Sequence, residues 1–392
     1  MSPPRDRTPN IKPPEIPLDR RHGPVEPLSV RSDGEPALAR MLADAIAQSG
    51  GIERATHGFH TYPAGMHPDT AALVIDACPG PVHDPFCGGG TVLVEAMLAG
   101  RPSSGTDLSA VALLVAGART APNIAATALR SASRRITEAA RQRVDVPVPA
   151  ICVEWYEPHV AQELGRLLQG IKAAPVEAQP LLEAVFSAIA VKASFRESDT
   201  SNRRKTGHRP PGTTAILFHK KSRELGRALD ALPVDAPRPR LRMADARTFG
   251  PPPDTALILT SPPYPGVYDY LPMQQLRIAW LGLDASAGMA AEVGSRRDFR
   301  ARGRTLALAR WREDTSRWTA TQALGLAPGG RMAVVVGDGL VGGKLVETLG
   351  PTIEGMRAAG LRIVARASAD RPDHAREAIR TEHLVLAERP GG

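Results

Sequence analysis

Short apolar runs that fit buried strands alternate along this chain with longer stretches whose apolar groups recur at helical spacing. The run Ala256-Leu257-Ile258-Leu259 is too short for a helix of its own and reads as a buried strand ending at Thr260. Further strands are expected at 81–84 and 103–107, which flank a glycine turn and its helix and each end in an acid, and at 241–245, 331–338, 361–367 and 381–388. Helices are expected over 35–48, 92–99, 124–141, 160–173, 181–193, 213–231, 271–281 and 344–359, and through Ala323. Another should begin at Asp69, a good N-cap residue. Strands alternating with helices imply an α/β fold: seven strands, mostly parallel and doubly wound, with helices on both faces. Only the last two strands, joined without a helix, are expected to pair antiparallel.

Two stretches interrupt this rhythm. Residues 1–34 are polar and proline-rich, which predicts a disordered tail, with no signal peptide, ahead of a domain spanning 35–392. The stretch from Leu108 to about Asp235 far exceeds an ordinary crossover of about a dozen residues. Residues 122–235 are therefore expected to form a helical insertion between the second and third strands. Within it, 194–212 reads as a polar loop.

Candidate chemistry sits where strands end. The corner Thr260-Ser261-Pro262-Pro263-Tyr264 is stiff, because each proline fixes its own φ and neither can extend a ladder. It offers a hydroxyl, outward carbonyls and an aromatic face, which suit a planar amine. The first strand runs into His83-Asp84-Pro85-Phe86-Cys87-Gly88-Gly89-Gly90-Thr91, a glycine turn that opens a helix. Glycines let backbone amides approach a ligand, and ligands of doubly wound sheets sit outside the carboxyl ends of the strands. Asp107 and Asp245 close the next two strands. A phosphate-binding loop would need Gly-Lys-Ser/Thr where Gly90-Thr91-Val92 stands, and a dinucleotide fingerprint would need a small residue at Leu93. Acids at successive strand ends instead suit a nucleoside carrying positive charge and little phosphate. The aromatic, proline-rich loop 59–68, with Tyr62 and Pro63, stands just ahead of this turn.

Composition changes the picture less than these motifs do. The 392 residues can bury a large core, 42% are hydrophobic, and no apolar run is long enough to span a membrane. Cys78, Cys87 and Cys152 are scattered and have no metal-binding spacing, so no metal and a reduced, cytoplasmic setting are expected. The net charge of +8 favours acidic partners. Basic residues concentrate at 203–223, which holds no acid, and at 296–312, where Arg297, Arg300, Arg302, Arg304 and Arg310 face only Asp298.

Together these residues resemble the class I S-adenosylmethionine-dependent methyltransferases, in particular those that methylate amino groups of nucleic acids. Residues 84–91 resemble the family's Asp-Pro-Phe-x-Gly-x-Gly-Thr cofactor motif, and 260–264 its catalytic Asp/Asn/Ser-Pro-Pro-Tyr/Phe motif. The resemblance implies a Rossmann-like sheet and S-adenosylmethionine as cofactor. Asp84, Pro85, Phe86, Gly88, Gly90 and Thr91 would border its methionine part, with Tyr62 and Pro63 closing over that end. Asp107 and Leu108 would meet the ribose, and Asp245 and Ala246 the adenine. Ser261, Pro262, Pro263 and Tyr264 would be catalytic: the Ser261 oxygen and the Pro262 carbonyl accept hydrogen bonds from an exocyclic amine while Tyr264 stacks on a flipped base.

Serine in first place leans toward N4 of cytosine in DNA. Methylation of cytosine carbon 5 is disfavoured, because it needs a cysteine nucleophile that the corner lacks. The cofactor motif precedes the catalytic one, a departure from the usual cytosine enzymes that keeps adenine N6 and RNA bases open. A methyltransferase of small amines would not need the basic surfaces. An inactive nucleic-acid-binding module would not need intact acids at 84, 107 and 245. Oligomeric state is not legible.

Overall fold

The computed structural model describes residues 25–63, 65–142, 144–198, 201–342, 344–373 and 378–391. The described strands, in chain order, are β1 (Ser29–Gly34), β2 (Val82–Asp84), β3 (Ser103–Asp107), β4 (Arg196–Ser198), β5 (Ser201–Arg204), β6 (Arg240–Met243), β7 (Thr255–Thr260), β8 (Leu326–Gly337), β9 (Gly339–Val341), β10 (Lys344–Val346), β11 (Arg362–Asp373) and β12 (Ala378–Glu388). Eight of them form one sheet in the order β1-β11-β12-β8-β7-β2-β3-β6. β8, β7, β2, β3 and β6 pair parallel, and β12, β11 and β1 continue the sheet antiparallel. This is a Rossmann-like α/β architecture.

Alternation along the central strands divides the core. Leu257 and Leu259 of β7, with Ala333 and Val335 of β8, pack on one face against the helices Pro36–Ile46 and Pro68–Ala77. Ile258, Met332, Val334 and Val336 point the other way, into a cluster with Trp318, Ile353 and Met356. Each such aliphatic side chain, fully buried, contributes about 1.5–3 kcal/mol, so both faces hold the sheet. Between β3 and β6 the helices Ala125–Ala139, Pro158–Lys172, Gln179–Ala193 and Thr213–Asp230 build a further core around Leu129, Leu164, Phe186 and Phe218. Trp280, Phe59 and Met97 join it to the rest of the chain.

Four expectations need correction. The sheet has eight strands rather than seven, because part of the expected tail is an edge strand; residues 1–24 of that tail lie outside the described residues. β1 is almost wholly exposed, so no apolar pattern marks it. Its partners are backbone and charge supplied from the far end of the chain: Ser29 pairs with Asp370, Arg31 Nη2 donates to Asp370 Oδ1 at 3.1 Å, and Arg366 Nη2 donates to Asp33 Oδ2 at 3.0 Å.

The helix expected at 344–359 begins only at Leu349, since 344–346 forms a small hairpin with β9. The loop 194–212 contains the β4–β5 hairpin, with residues 199 and 200 outside the described residues. Finally, the helix expected to be capped by Asp69 is capped two residues earlier, by His67, whose Nδ1 accepts from the Asp69 N–H at 3.2 Å. Ala64, in the loop before it, is outside the described residues. Among the described residues no helix is long and apolar enough to cross a membrane, and the three cysteines are buried and free.

Gly34 ends β1 at φ +117°, and a Cβ there would lie 2.4 Å from the Val364 carbonyl oxygen. Gly34→Ala is expected to lower the free energy of unfolding by about 1–3 kcal/mol. An unchanged urea midpoint would show that the β1 edge adds nothing to stability.

Candidate functional site

The parallel order brings the ends of β2, β3 and β7 side by side. β2 stops at Asp84, and the chain turns through Gly88 (φ +48°) and Gly90 (φ +82°) into the helix Thr91–Leu98. A Cβ on Gly90 would meet Ala116 at 2.9 Å, and one on Gly88 would meet the Tyr62 ring at 3.3 Å. The turn therefore needs both glycines, for backbone conformation and for space.

Asp84 is buried, and its Oδ1 accepts from the Phe86 N–H at 3.1 Å and from Thr260 Oγ1 at 2.7 Å. Burial raises its pKa to about 7 against the lowering effect of those two bonds. Asp107 Oδ2 accepts from the Gly88 N–H at 2.9 Å, and its Oδ1 from the Ser109 N–H at 2.8 Å. Burial raises its pKa too, opposed by these backbone donors.

A cleft opens over these ends. Its walls include Tyr62, Pro63, Pro85, Phe86, Gly88, Asp107, Leu108, Asp245, Ala246, Ser261 and Pro263, all expected from the sequence. Counted out to solvent it holds about 720 Å³, within the range of about 300–1,000 Å³ common for small-molecule pockets, and the Tyr62 ring lies against Gly88 at one wall.

Other expected residues lie behind this surface. Asp84, Gly90, Thr91, Pro262 and Tyr264 do not line the cleft. Asp84 and Pro262 are buried beneath it, while Gly90 and Thr91 start the helix. Tyr264 packs against Gly337, where a Cβ would come within 2.6 Å of the ring, and joins the Trp318 cluster. Its hydroxyl stands 3.3 Å from both Ser261 Oγ and Glu382 Oε1. Tyr270, by contrast, lines the cleft with Tyr62 and Phe86.

Asp245 lines the cleft, yet its carboxylate is forked by Arg247, with Nε to Oδ1 at 3.0 Å and Nη2 to Oδ2 at 2.7 Å. Burial tends to raise its pKa, but Arg247 outweighs that and leaves it below the usual value.

Several residues of the site carry no motif. Ser109, Tyr270 and Glu292 line the cleft. Glu292 accepts from Arg297 Nη2 at 2.8 Å, and burial raises its pKa despite that partner. Arg119, 5% exposed, donates from Nη1 to the Gly89 carbonyl at 2.7 Å and from Nη2 to the carbonyls of His57 (2.8 Å) and His60 (2.6 Å). It thereby ties the glycine turn to the loop that carries Tyr62. Its one signal in the sequence is a lone charge closing the otherwise uncharged helix Ala110–Arg119.

A second cavity, about 640 Å³ and open to solvent, lies beside Gly266 and is lined by Arg296, Arg300, Arg304 and Lys344. It contains none of the strand-end acids. Among the described residues no cluster of His, Cys, Asp and Glu is placed to hold a metal ion.

No family model matches the chain, and no curated protein matches it. Solved structures that align with it include TrmN from Thermus thermophilus, at 13% identity and a TM-score of 0.30 over 83% of this chain and 50% of that one. The chain thus spans half the length of TrmN. A TehB-like SAM-dependent methyltransferase from Corynebacterium glutamicum aligns at 11% identity and a TM-score of 0.29, over 81% of this chain and 86% of that one. The rRNA methyltransferase aviRa from Streptomyces viridochromogenes aligns at 13% identity and a TM-score of 0.33, over 90% and 95%.

Two outcomes follow from the geometry. Arg119→Lys cannot reach three carbonyls at once, so amide hydrogen exchange should accelerate across 57–63 and 88–90 while the β8 and β12 amides stay protected. Uniform acceleration would mean that Arg119 serves global stability instead.

The raised pKa of Asp84 means that the folded state holds its proton more tightly than the unfolded chain. Between about pH 4 and pH 7 the Asp84 contribution should therefore make stability fall as pH rises, and it should level off outside that window. Asp84→Asn should flatten this part of the pH profile of unfolding. An unchanged slope would show that Asp84 does not titrate there.

Proposed function

We propose that this protein is an S-adenosylmethionine-dependent methyltransferase that methylates an exocyclic amino group of a nucleic-acid base, with N4 of cytosine in DNA as the leading target. The observation that carries this reading is the convergence, in one cleft, of the cofactor-type turn (Pro85, Phe86, Gly88), the strand-end acids Asp107 and Asp245, and the corner residues Ser261 and Pro263. Motifs far apart in the sequence face one another across a space with no basic wall.

The residues present fit the cofactor. Phe86, Leu108, Ala246 and Val293 supply apolar walls for an adenine, and Asp107 places a carboxylate at the end of β3, where ribose hydroxyls would meet it. Acids around a sulfonium are electrostatically favourable, and with glycine at 88 and 90 the backbone of the turn can approach a ligand closely. When bound, the cofactor supplies an electrophilic methyl group.

The chain supplies position and polarity. The Ser261 hydroxyl, half-buried at the cleft, donates to the Tyr264 hydroxyl at 3.3 Å, which leaves its lone pairs available to accept from an amine, and the two prolines hold the corner still. A hydrogen bond taken from each amine N–H favours a pyramidal nitrogen and frees its lone pair. The methylated nitrogen is itself acidic, so no strong base is needed, and orientation and preorganised acceptors carry the rate. Tyr270, at the cleft wall, takes over the stacking role first assigned to Tyr264. Tyr264 instead fixes the corner by packing on Gly337.

Adenine N6 and RNA bases share the same chemistry. The test is incubation with methyl-labelled S-adenosylmethionine and separate DNA, RNA and small-amine pools, followed by mass spectrometry of the labelled nucleoside. N4-methylcytosine in DNA is the expected product, and label confined to RNA or to small amines would overturn the assignment. In parallel, Asp107→Ala should bind the cofactor about tenfold or more weakly in calorimetry, as expected for losing a charge-assisted hydrogen bond.

A further inference from the structure

The cavity beside Gly266 collects four cationic side chains, from Arg296, Arg300, Arg304 and Lys344. No acid among the described residues is paired with any of them. Asp298, on the same helix, is engaged by Arg302 at 2.7 Å and Arg310 at 3.5 Å, which do not line the cavity. Arg297 is engaged by Glu292 and Asp269.

Arg296 and Arg304 donate only to the neutral carbonyls of Val267 and Leu345, which fix the guanidinium groups without neutralising them. Arg304 also opens the 21-residue helix Arg304–Leu324, which has a glycine cap, no side-chain cap bond and no acid in its first turn. The positive end of that helix is therefore uncompensated and adds to the field of the four cations. Like charges held together in this way favour an anion as their neutral state.

We propose that this cavity binds a backbone phosphate of the polynucleotide strand that presents the acceptor base, an inference that rests on the function proposed above. Gly266 belongs both to the cavity and to the turn after the corner, five residues beyond Ser261, a span of at most about 18 Å. Phosphates recur every ~3.4 Å of helix axis along one strand, so a phosphate within a few nucleotides of a base at the corner reaches the cavity. A Cβ on Gly266 would lie 2.4 Å from Val341 Cγ2, which shows how tightly the β9–β10 hairpin closes on that turn. The hairpin thus sets the distance between the cations and the corner. Phe299 and Val341 add an apolar side that fits the sugar next to a phosphate.

The test uses the double substitution Arg300→Gln with Lys344→Gln. Both side chains are exposed, so an unchanged thermal midpoint serves as the fold control. Binding of a short mixed-sequence single-stranded oligonucleotide is followed by fluorescence anisotropy across a salt series, with DNA and RNA of the same sequence in separate arms and inorganic phosphate as a third.

The expected result is binding at least about tenfold weaker at low salt, and a log–log salt slope shallower by about 1.4 for two lost contacts. The polymer that binds more tightly identifies the source of the phosphate. Equal affinity and slope in parent and variant would overturn the proposal, as would a parent that binds inorganic phosphate and neither oligonucleotide. The function proposed above fails by a different readout: loss of oligonucleotide binding in the variant, with no methyl transfer by the parent, would leave the cavity assigned and that function rejected.

Discussion

The hydrogen bond from Thr260 Oγ1 to Asp84 Oδ1, 2.7 Å long and buried, joins two positions 176 residues apart in the chain. β2 and β7 are parallel neighbours, so the carboxyl end of one strand sits beside the carboxyl end of the other. The bond fixes the glycine turn relative to the Ser-Pro-Pro-Tyr corner. A group held by the first therefore meets a group held by the second at a set distance, and near-attack geometry depends on such distances. Burial makes the carboxylate costly, yet the Phe86 N–H and the Thr260 hydroxyl both point at it. The acid is retained where an apolar residue would pack more easily, because only an acceptor can tie both motifs together.

Arg119 fastens a third part onto that pair. Its guanidinium reaches the turn through the Gly89 carbonyl and the preceding loop through those of His57 and His60. The same loop is anchored from below, where His57 Nε2 and Glu95 Oε1 lie 2.6 Å apart and Arg54 Nη2 donates to Glu95 Oε2 at 2.7 Å. Tyr62 rides on that anchored segment, its ring lying against a glycine that leaves room for it at one wall of the cleft.

Most of the sheet was legible in the sequence, because β7 and the second half of β8 are apolar runs and the strand ends are marked by prolines, glycines and acids. β1 was not, since an exposed polar strand is defined by a partner more than 300 residues away rather than by its own pattern. At the site, residues tied to a turn or a strand end could be placed from their spacing. Arg119, Tyr270 and Glu292 could not, because each enters from a helix or loop whose path over the cleft is set by tertiary packing. Tyr264 shows the opposite failure. It follows the corner as the sequence places it, but its ring packs on Gly337 of β8, which nothing near residue 264 announces.

The same stretch of chain also separates charge. On one side of the turn at 264–267 the cleft carries Asp107, Asp245 and Glu292, and on the other the cavity carries Arg296, Arg300, Arg304 and Lys344. Arg247 and Arg297 offset two of the three acids, which leaves Asp107 held by backbone amides alone. On the function proposed above, a polyanion would be drawn to the cavity and kept from the cleft. The part of it entering the cleft would then be a neutral base extended away from its own phosphates, the form in which an exocyclic amine would meet Ser261.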